Sequence, residues 1–117
     1  GGSVQAGDSL KLTCTASARI FTITRAEFFR KSPGKQRETV GTISRGGGGE
    51  YYALSVRGRF SISIDNNKKM VSLEMARLNI EDTGIYTCHV WGSPDIGDIV
   101  LPEYEYWGQG TQVTVIS

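Results

Sequence analysis

The sequence predicts an all-β fold, built as a sandwich or barrel of short antiparallel strands. Apolar and polar residues alternate with a period of two along most of the chain, which indicates strands with one buried and one polar face. The clearest alternating runs cover residues 10–16, 60–64, 71–75, 86–90 and 111–115. Segments rich in Gly, Pro, Asn and Asp separate these runs, and this succession of strands and turns is typical of all-β domains.

The connections between strands are predicted from their turn residues. In Ser32-Pro33-Gly34-Lys35, Pro fits a position with φ near about −65° and Gly fits a position with positive φ. Similar signals predict turns at 46–49, 65–67 and 108–110. The one helical signal covers 79–82, about one turn, with Asn79 as its N-cap.

Composition limits the classes of function. The chain has 117 residues, which fits one domain, and its net charge is +1. A nearly neutral chain has no general attraction for nucleic acid or for membrane surfaces. No apolar run approaches the roughly 18 residues that a membrane span requires. We therefore expect no nucleic-acid partner, no membrane partner and no cofactor.

Two cysteines, Cys14 and Cys88, lie in separate alternating runs, so each side chain is expected to point inward. Two cysteines alone do not establish a disulfide, because buried free thiols are common. If they pair, the closed loop would stabilise the fold by about 4.5 kcal/mol on the chain-entropy account. A bridge would also indicate an oxidising compartment.

Four motifs follow one another in a fixed order: Leu10-x-Leu-x-Cys14, Arg59-Phe60, the run from Glu81 to Cys88, and the run from Trp107 to Val115. Together they resemble an immunoglobulin variable domain, and the resemblance covers the whole chain. It implies a V-type two-sheet antiparallel Greek-key sandwich over residues 1–117, with one disulfide between the sheets. It also implies that the first part of the N-terminal edge strand is missing.

The resemblance assigns structural roles to several residues. Cys14 and Cys88 should form the bridge, and the Tyr86 hydroxyl should bond to backbone near Asp82 as a tyrosine corner. Arg59 and Asp82 should form an ion pair at the lower end of the sandwich. Phe28 stands where the family has a Trp packed on the disulfide, and the smaller ring should cost about 1–2 kcal/mol unless neighbours close in.

Phe29 should face outward, because adjacent strand residues point to opposite faces. In conventional antibodies that face pairs with a light chain. Here Phe29, Gln36, Arg37 and Thr39 resemble the substitutions of camelid heavy-chain-only antibodies, which act without a light chain. The resemblance therefore implies a secreted, extracellular, monomeric binder of a protein antigen. The alternative is a receptor-type or conventional heavy-chain variable domain that pairs with a second variable domain.

The resemblance places recognition in three loops, at residues 19–26, 44–50 and 91–106. The expected contact residues are Ile23, Thr24, Arg25, Arg45, Glu50, Trp91, Asp95, Ile96, Asp98, Ile99, Val100, Leu101 and Tyr104. Phe21 is expected to fill the core. Phe29, Arg37, Tyr106 and Trp107 are expected to be structural.

Two assignments in the third loop have open alternatives. The run Ile99-Val100-Leu101, braced by Pro102, could fold back over Phe29 instead of contacting antigen. Trp91, just beyond its strand, fits a structural role as well as a contact.

The third loop carries Asp95, Asp98, Glu103 and Glu105 and no basic residue, whereas the rest of the chain holds 13 basic and eight acidic residues. This asymmetry predicts an epitope with a basic patch. The alternative is that the carboxylates only keep an apolar loop soluble. Carboxylates also suit a hard cation, but their spacing matches no known metal loop, so no metal is expected. His89 is the only histidine, and we expect no catalysis.

Overall fold

The described residues, 2–94 and 102–117 of a computed structural model, fold into two β-sheets. The elements in chain order are β1 (Ser3–Gln5), β2 (Leu10–Thr15), β3 (Thr22–Lys31), β4 (Glu38–Ser44), β5 (Gly49–Tyr52), β6 (Phe60–Asp65), β7 (Met70–Met75), a short 3-10 helix (Ile80–Asp82), β8 (Gly84–Ser93), β9 (Tyr104–Trp107) and β10 (Thr111–Ile116). The all-β prediction is confirmed.

The larger sheet has the strand order β1-β10-β8-β3-β4-β5, and the smaller sheet has the order β2-β7-β6. The β1–β10 pair is parallel, whereas β8 is antiparallel to its neighbours β3, β9 and β10. Both β9 and β10 lie along the same side of β8. β9 pairs with its upper half, His89–Gly92, and β10 pairs with its lower half, Gly84–Tyr86.

A disulfide joins the two sheets through the core. It links Cys14 on β2 to Cys88 on β8, as the resemblance implied. Phe28 is 3% exposed and lies opposite Cys88 in the β3–β8 register. A Cβ atom at Gly108 would lie 2.5 Å from the Cys88 sulfur, so a residue with a side chain would crowd the bridge. Phe28, buried and opposite Cys88, takes the core position that the resemblance implied.

A buried carboxylate organises the lower end of the sandwich. Asp82 is 2% exposed, and its Oδ2 lies 2.9 Å from Nη1 of Arg59. Its Oδ1 lies 3.5 Å from Nη1 of Arg30. The Tyr86 hydroxyl donates to the backbone oxygen of Asp82 at 2.5 Å, and burial raises the pKa of this tyrosine. The backbone N–H of Asn79 donates to the Asp82 carboxylate at 2.9 Å, where the 3-10 helix begins. The predicted ion pair, tyrosine corner and helical turn are confirmed, and Arg30 is an addition.

The Tyr52 hydroxyl joins the two sheets at their edges. It donates to Oε1 of Glu50 at 2.7 Å and accepts a hydrogen bond from the Ile62 N–H, also at 2.7 Å. Tyr52 belongs to β5 at the edge of the larger sheet, and Ile62 belongs to β6 at the edge of the smaller one. Burial, together with the bond to Glu50, raises the pKa of Tyr52 to about 12.

We expect the Tyr52→Phe variant to unfold more easily, by about 1–2 kcal/mol at pH 7, because the Ile62 N–H loses its acceptor. The pKa of Tyr52 is about 12 in the folded state, above the ordinary value of about 10 in the unfolded chain. The stability linked to this proton is therefore full below about pH 10 and is lost as the pH rises toward about 12. Urea unfolding across that range should show a steeper loss in the wild type than in the variant. Equal slopes would contradict this account.

Candidate binding surface

Thr24 connects all three predicted loops. Its backbone oxygen accepts a hydrogen bond from the Arg45 N–H in the second loop at 2.9 Å. Its hydroxyl oxygen lies 3.4 Å from the backbone oxygen of Trp91 and bonds to the carboxylate of Glu103, both in the third loop. Thr24 itself is half-buried, and the neighbouring Arg25 is exposed. The described parts of the three loops are therefore connected to one another through Thr24.

Two predictions for the first loop are wrong. Ile23 was expected to contact antigen but is fully buried, because β3 begins at Thr22 and turns this side chain into the core. Phe21 was expected to fill the core but is 52% exposed, and the Lys69 ammonium lies 4.8 Å from its ring centre. Ile20, 1% exposed, is the apolar side chain that this loop places in the core.

The second loop is a tight turn between β4 and β5. Gly46 and Gly47 have φ of 76° and 98°, in the left-handed region that favours glycine. Arg45 and Glu50 flank the turn and are exposed, as a contact role requires. Glu50 also accepts the hydrogen bond from Tyr52, so its side chain is held in one orientation.

The third loop starts and ends as a β-hairpin. β8 continues to Ser93, and Gly92 pairs with Tyr104 in the register of β9. The expected loop over 91–106 is therefore shorter than predicted, because strands occupy both ends of this range. Tyr104 is 37% exposed, and Tyr106 packs against the core, in line with its expected structural role.

Six of the expected contact residues lie outside the described residues, and their roles stay predictions: Asp95, Ile96, Asp98, Ile99, Val100 and Leu101. The same holds for the alternative in which residues 99–101 cover Phe29. Pro102, which follows them, is exposed.

Two of the four acidic side chains of the third loop have partners within the domain. Glu103 bonds to the Thr24 hydroxyl, and Oε1 of Glu105 lies 2.7 Å from Nε2 of His89. The basic epitope stays a prediction, because the other two carboxylates, Asp95 and Asp98, lie outside the described residues. Within 2–94 and 102–117, no group of three His, Cys, Asp or Glu residues is arranged to hold a metal ion.

A continuous row of side chains covers the outer face of the larger sheet. We call it the stacked face, and its members are Arg25, Trp91, His89, Trp107, Phe29 and Arg37. In its upper half the Arg25 guanidinium lies 4.3 Å from the Trp91 ring centre, and the His89 ring is 3.7 Å from that of Trp91.

The lower half of the stacked face continues without a gap. The rings of His89 and Trp107 stack at 3.7 Å, and those of Trp107 and Phe29 stack at 5.6 Å. The Arg37 guanidinium ends the row 4.4 Å from the Phe29 ring centre. Cations placed over aromatic faces are attracted by the ring quadrupole. The predicted structural roles of Phe29, Arg37 and Trp107 agree with this packing.

The sequence analysis missed two buried polar residues on this outer face. Glu27 is 9% exposed and pairs with Arg25 at 2.6 Å, and His89 is only 7% exposed, between two tryptophan rings. The sequence did contain a signal for their burial. The outward positions of β3 and of β8 carry aromatic or charged side chains next to each other, and these can cover a polar neighbour. Glu27 and His89 are direct neighbours in the β3–β8 register.

The chain matches the immunoglobulin V-set domain over residues 2–116. It therefore belongs to the immunoglobulin V-set family, whose members are binding domains rather than enzymes. The disulfide fits an oxidising compartment. Among the described elements, no helix has the length and apolar character needed to cross a membrane.

We expect the Arg37→Ala variant to lose about 0.5–1 kcal/mol of unfolding free energy, because the guanidinium no longer covers Phe29 and Trp107. The matched control is Arg45→Ala, which removes the same charge from an exposed turn and should change stability by less than about 0.5 kcal/mol. Urea denaturation of both variants measures the difference. Equal midpoints would show that the cation adds nothing to the stacked face.

Proposed function

We propose that this V-set domain is a single-domain antibody of the camelid heavy-chain-only type. In this proposal it is secreted, acts as a monomer without a light chain, and binds a protein antigen by surface complementarity without chemistry. The observation that carries the proposal is the stacked face, where charged side chains of the domain itself occupy the surface on which a second variable domain would pack.

The physical argument concerns desolvation. A pairing interface needs a core from which water is excluded, and charged residues are depleted there. Arg37 is exposed and lies over Phe29, so a partner domain at this place would have to bury its charge. Burying an unpaired charge is costly. Gln36 and Glu38, the neighbours of Arg37 in the chain, are exposed as well.

The described parts of the three loops support antigen binding, because hydrogen bonds hold them in place before any partner arrives. Thr24 bonds to both other loops, and Glu50 and Glu105 are each held by a neighbouring side chain. Preorganised loops lose less conformational freedom on binding. Arg25, Arg45, Glu50 and Tyr104 supply the described exposed part of the surface. Asp95 and Asp98 are proposed to favour an epitope with a basic patch, and neither nucleic acid nor membrane is a proposed partner.

One observation favours the alternative of a domain that pairs with a second variable domain. Trp107 is 46% exposed at the side of the stacked face, and exposed tryptophan is typical of interfaces. The two functions differ in which surface is needed. Antigen binding requires the loops, whereas pairing requires Trp107 and Phe29.

The test uses a panel of purified extracellular proteins, screened against the wild-type domain by biolayer interferometry. The control is a variant whose residues 95–101 are replaced by a Gly-Ser segment of equal length. Antigen binding predicts at least one partner that the wild type binds and the control does not. A partner that binds both equally, or that is a second variable domain lost on Trp107→Ala, would contradict the proposal.

With that partner in hand, we expect the Asp95→Asn and Asp98→Asn double variant to associate more slowly at low salt, by about threefold to tenfold. Charge complementarity acts mainly on the association rate and is screened by salt. The matched control is the Asp8→Asn and Glu81→Gln double variant, which also removes two carboxylates, both exposed and outside the three loops. An association rate unchanged in the double variant at low salt would remove the claim of a basic epitope.

A further inference from the structure

We infer that Asn66, which lies outside the three loops, is a positioning residue for the described part of the binding surface. It belongs to the turn between β6 and β7, and its side chain reaches across to the first loop. Its Oδ1 accepts a hydrogen bond from the Ile23 N–H at 2.7 Å, and its Nδ2 donates to the Ile23 oxygen at 3.2 Å. One amide side chain thus binds both backbone groups of a single loop residue. This inference rests on the proposed antigen-binding function.

The turn that carries Asn66 is itself held in place. The Asp65 carboxylate accepts hydrogen bonds from the backbone N–H groups of Asn67 and Lys68, at 2.9 and 3.1 Å. Lys69 has a φ of 55°, and its ammonium donates to the Asn66 oxygen at 2.7 Å. Its own backbone oxygen accepts from the Ala16 N–H at 2.9 Å. A side chain on such a turn can fix the loop that it touches.

The position of Ile23 matters because the next residue is Thr24. Ile23 is fully buried, so it anchors the first loop from inside while Asn66 holds its backbone from the edge. Thr24 then bonds to Arg45 in the second loop and to Glu103 in the third. The path from Asn66 to these loops consists of direct hydrogen bonds and one peptide bond. Loss of the Asn66 side chain should therefore loosen residues that it does not touch.

The sequence offers a matched control next to Asn66. Asn67 is the same residue type in the same turn, it is exposed, and the hydrogen bond described for it uses its backbone N–H rather than its side chain. Asn66→Ala and Asn67→Ala therefore make the same chemical change one position apart. Asn66→Asp is a milder variant, because a carboxylate keeps the acceptor for the Ile23 N–H and removes only the donor.

The first experiment is hydrogen exchange of backbone amides, followed by NMR in the full chain. In Asn66→Ala we expect the amides of Ile23 and Arg45 to exchange about tenfold faster, while those of Leu73 and Val71 in β7 keep the wild-type rate. Asn67→Ala should match the wild type throughout, and Asn66→Asp should speed exchange at Ile23 by less than Asn66→Ala does. If Asn66→Ala does not fold, Asn66→Asp carries the test, with faster exchange expected at Arg45.

Two results would overturn the inference. One is an Asn66 variant whose Ile23 and Arg45 amides exchange at the wild-type rate. The other is a uniform increase that includes β7, because this would make Asn66 a general stabilising residue without a special role in the loops. Exchange needs no antigen, so this outcome is independent of whether the proposed function fails.

The second experiment measures recognition with a defined probe. Anti-idiotypic Fab fragments are selected against the wild-type domain, and those sensitive to Arg25→Ala and Arg45→Ala but insensitive to Asn67→Ala and Lys68→Ala are kept. Such probes contact the loops and not the turn. We expect Asn66→Ala to weaken their binding about tenfold and Asn66→Asp to weaken it less. Unchanged affinity for Asn66→Ala would contradict a positioning role.

Discussion

The disulfide between Cys14 and Cys88 is the constraint on which the rest of the structure depends. It fixes β2 of the smaller sheet against β8 of the larger one at the centre of the core. β8 supplies residues both to the core and to the outer face of the larger sheet. Its inward side holds Cys88 opposite Phe28, and its outward side presents His89 and Trp91 to the stacked face. The same strand continues into the hairpin that forms both ends of the third loop.

Because strand residues alternate between two faces, one strand supports two separate functions. The inward face of the larger sheet is apolar and makes the fold. Its outward face carries stacked rings with a guanidinium group of the same chain at each end, while the Trp107 ring stays 46% exposed. Arg25 and Arg37 close the two ends of this row. In our account this cover takes the place of a partner domain and leaves the loops free to bind.

The sequence was sufficient for those parts of the fold that follow from strand period and fixed motifs. The strand period predicted the all-β fold, and the motifs gave a resemblance to a known family. That resemblance implied the two-sheet architecture, the disulfide, the Arg59–Asp82 pair and the Tyr86 hydroxyl bond, all of which are confirmed. The first loop was predicted poorly, because periodicity does not show where a strand begins. β3 starts at Thr22, four residues before the loop was expected to end, and so Ile23 is buried while Phe21 is exposed.

The contacts of the binding surface were the least predictable part, because they join residues far apart in sequence. Nothing in the alternation of single segments pairs Thr24 with Glu103 or Asn66 with Ile23. Such contacts depend on which turns meet at the same end of the sandwich. The stacked face was partly predictable from the sequence. Phe29 and His89 stood at outward positions of predicted strands. The packing of the full row also depends on the hairpin register of β9, which brings Trp107 beside His89, and on Arg37, which lies outside the strands.

The central claim is that the domain is complete without a second variable domain, and sedimentation velocity tests it most directly. The purified chain is run alone, and then mixed with an equimolar amount of an isolated light-chain variable domain. The account predicts that the chain sediments in both samples as a monomer of 12.8 kDa. A stable heterodimer in the mixture, lost on Trp107→Ala and kept when residues 95–101 are replaced, would contradict it.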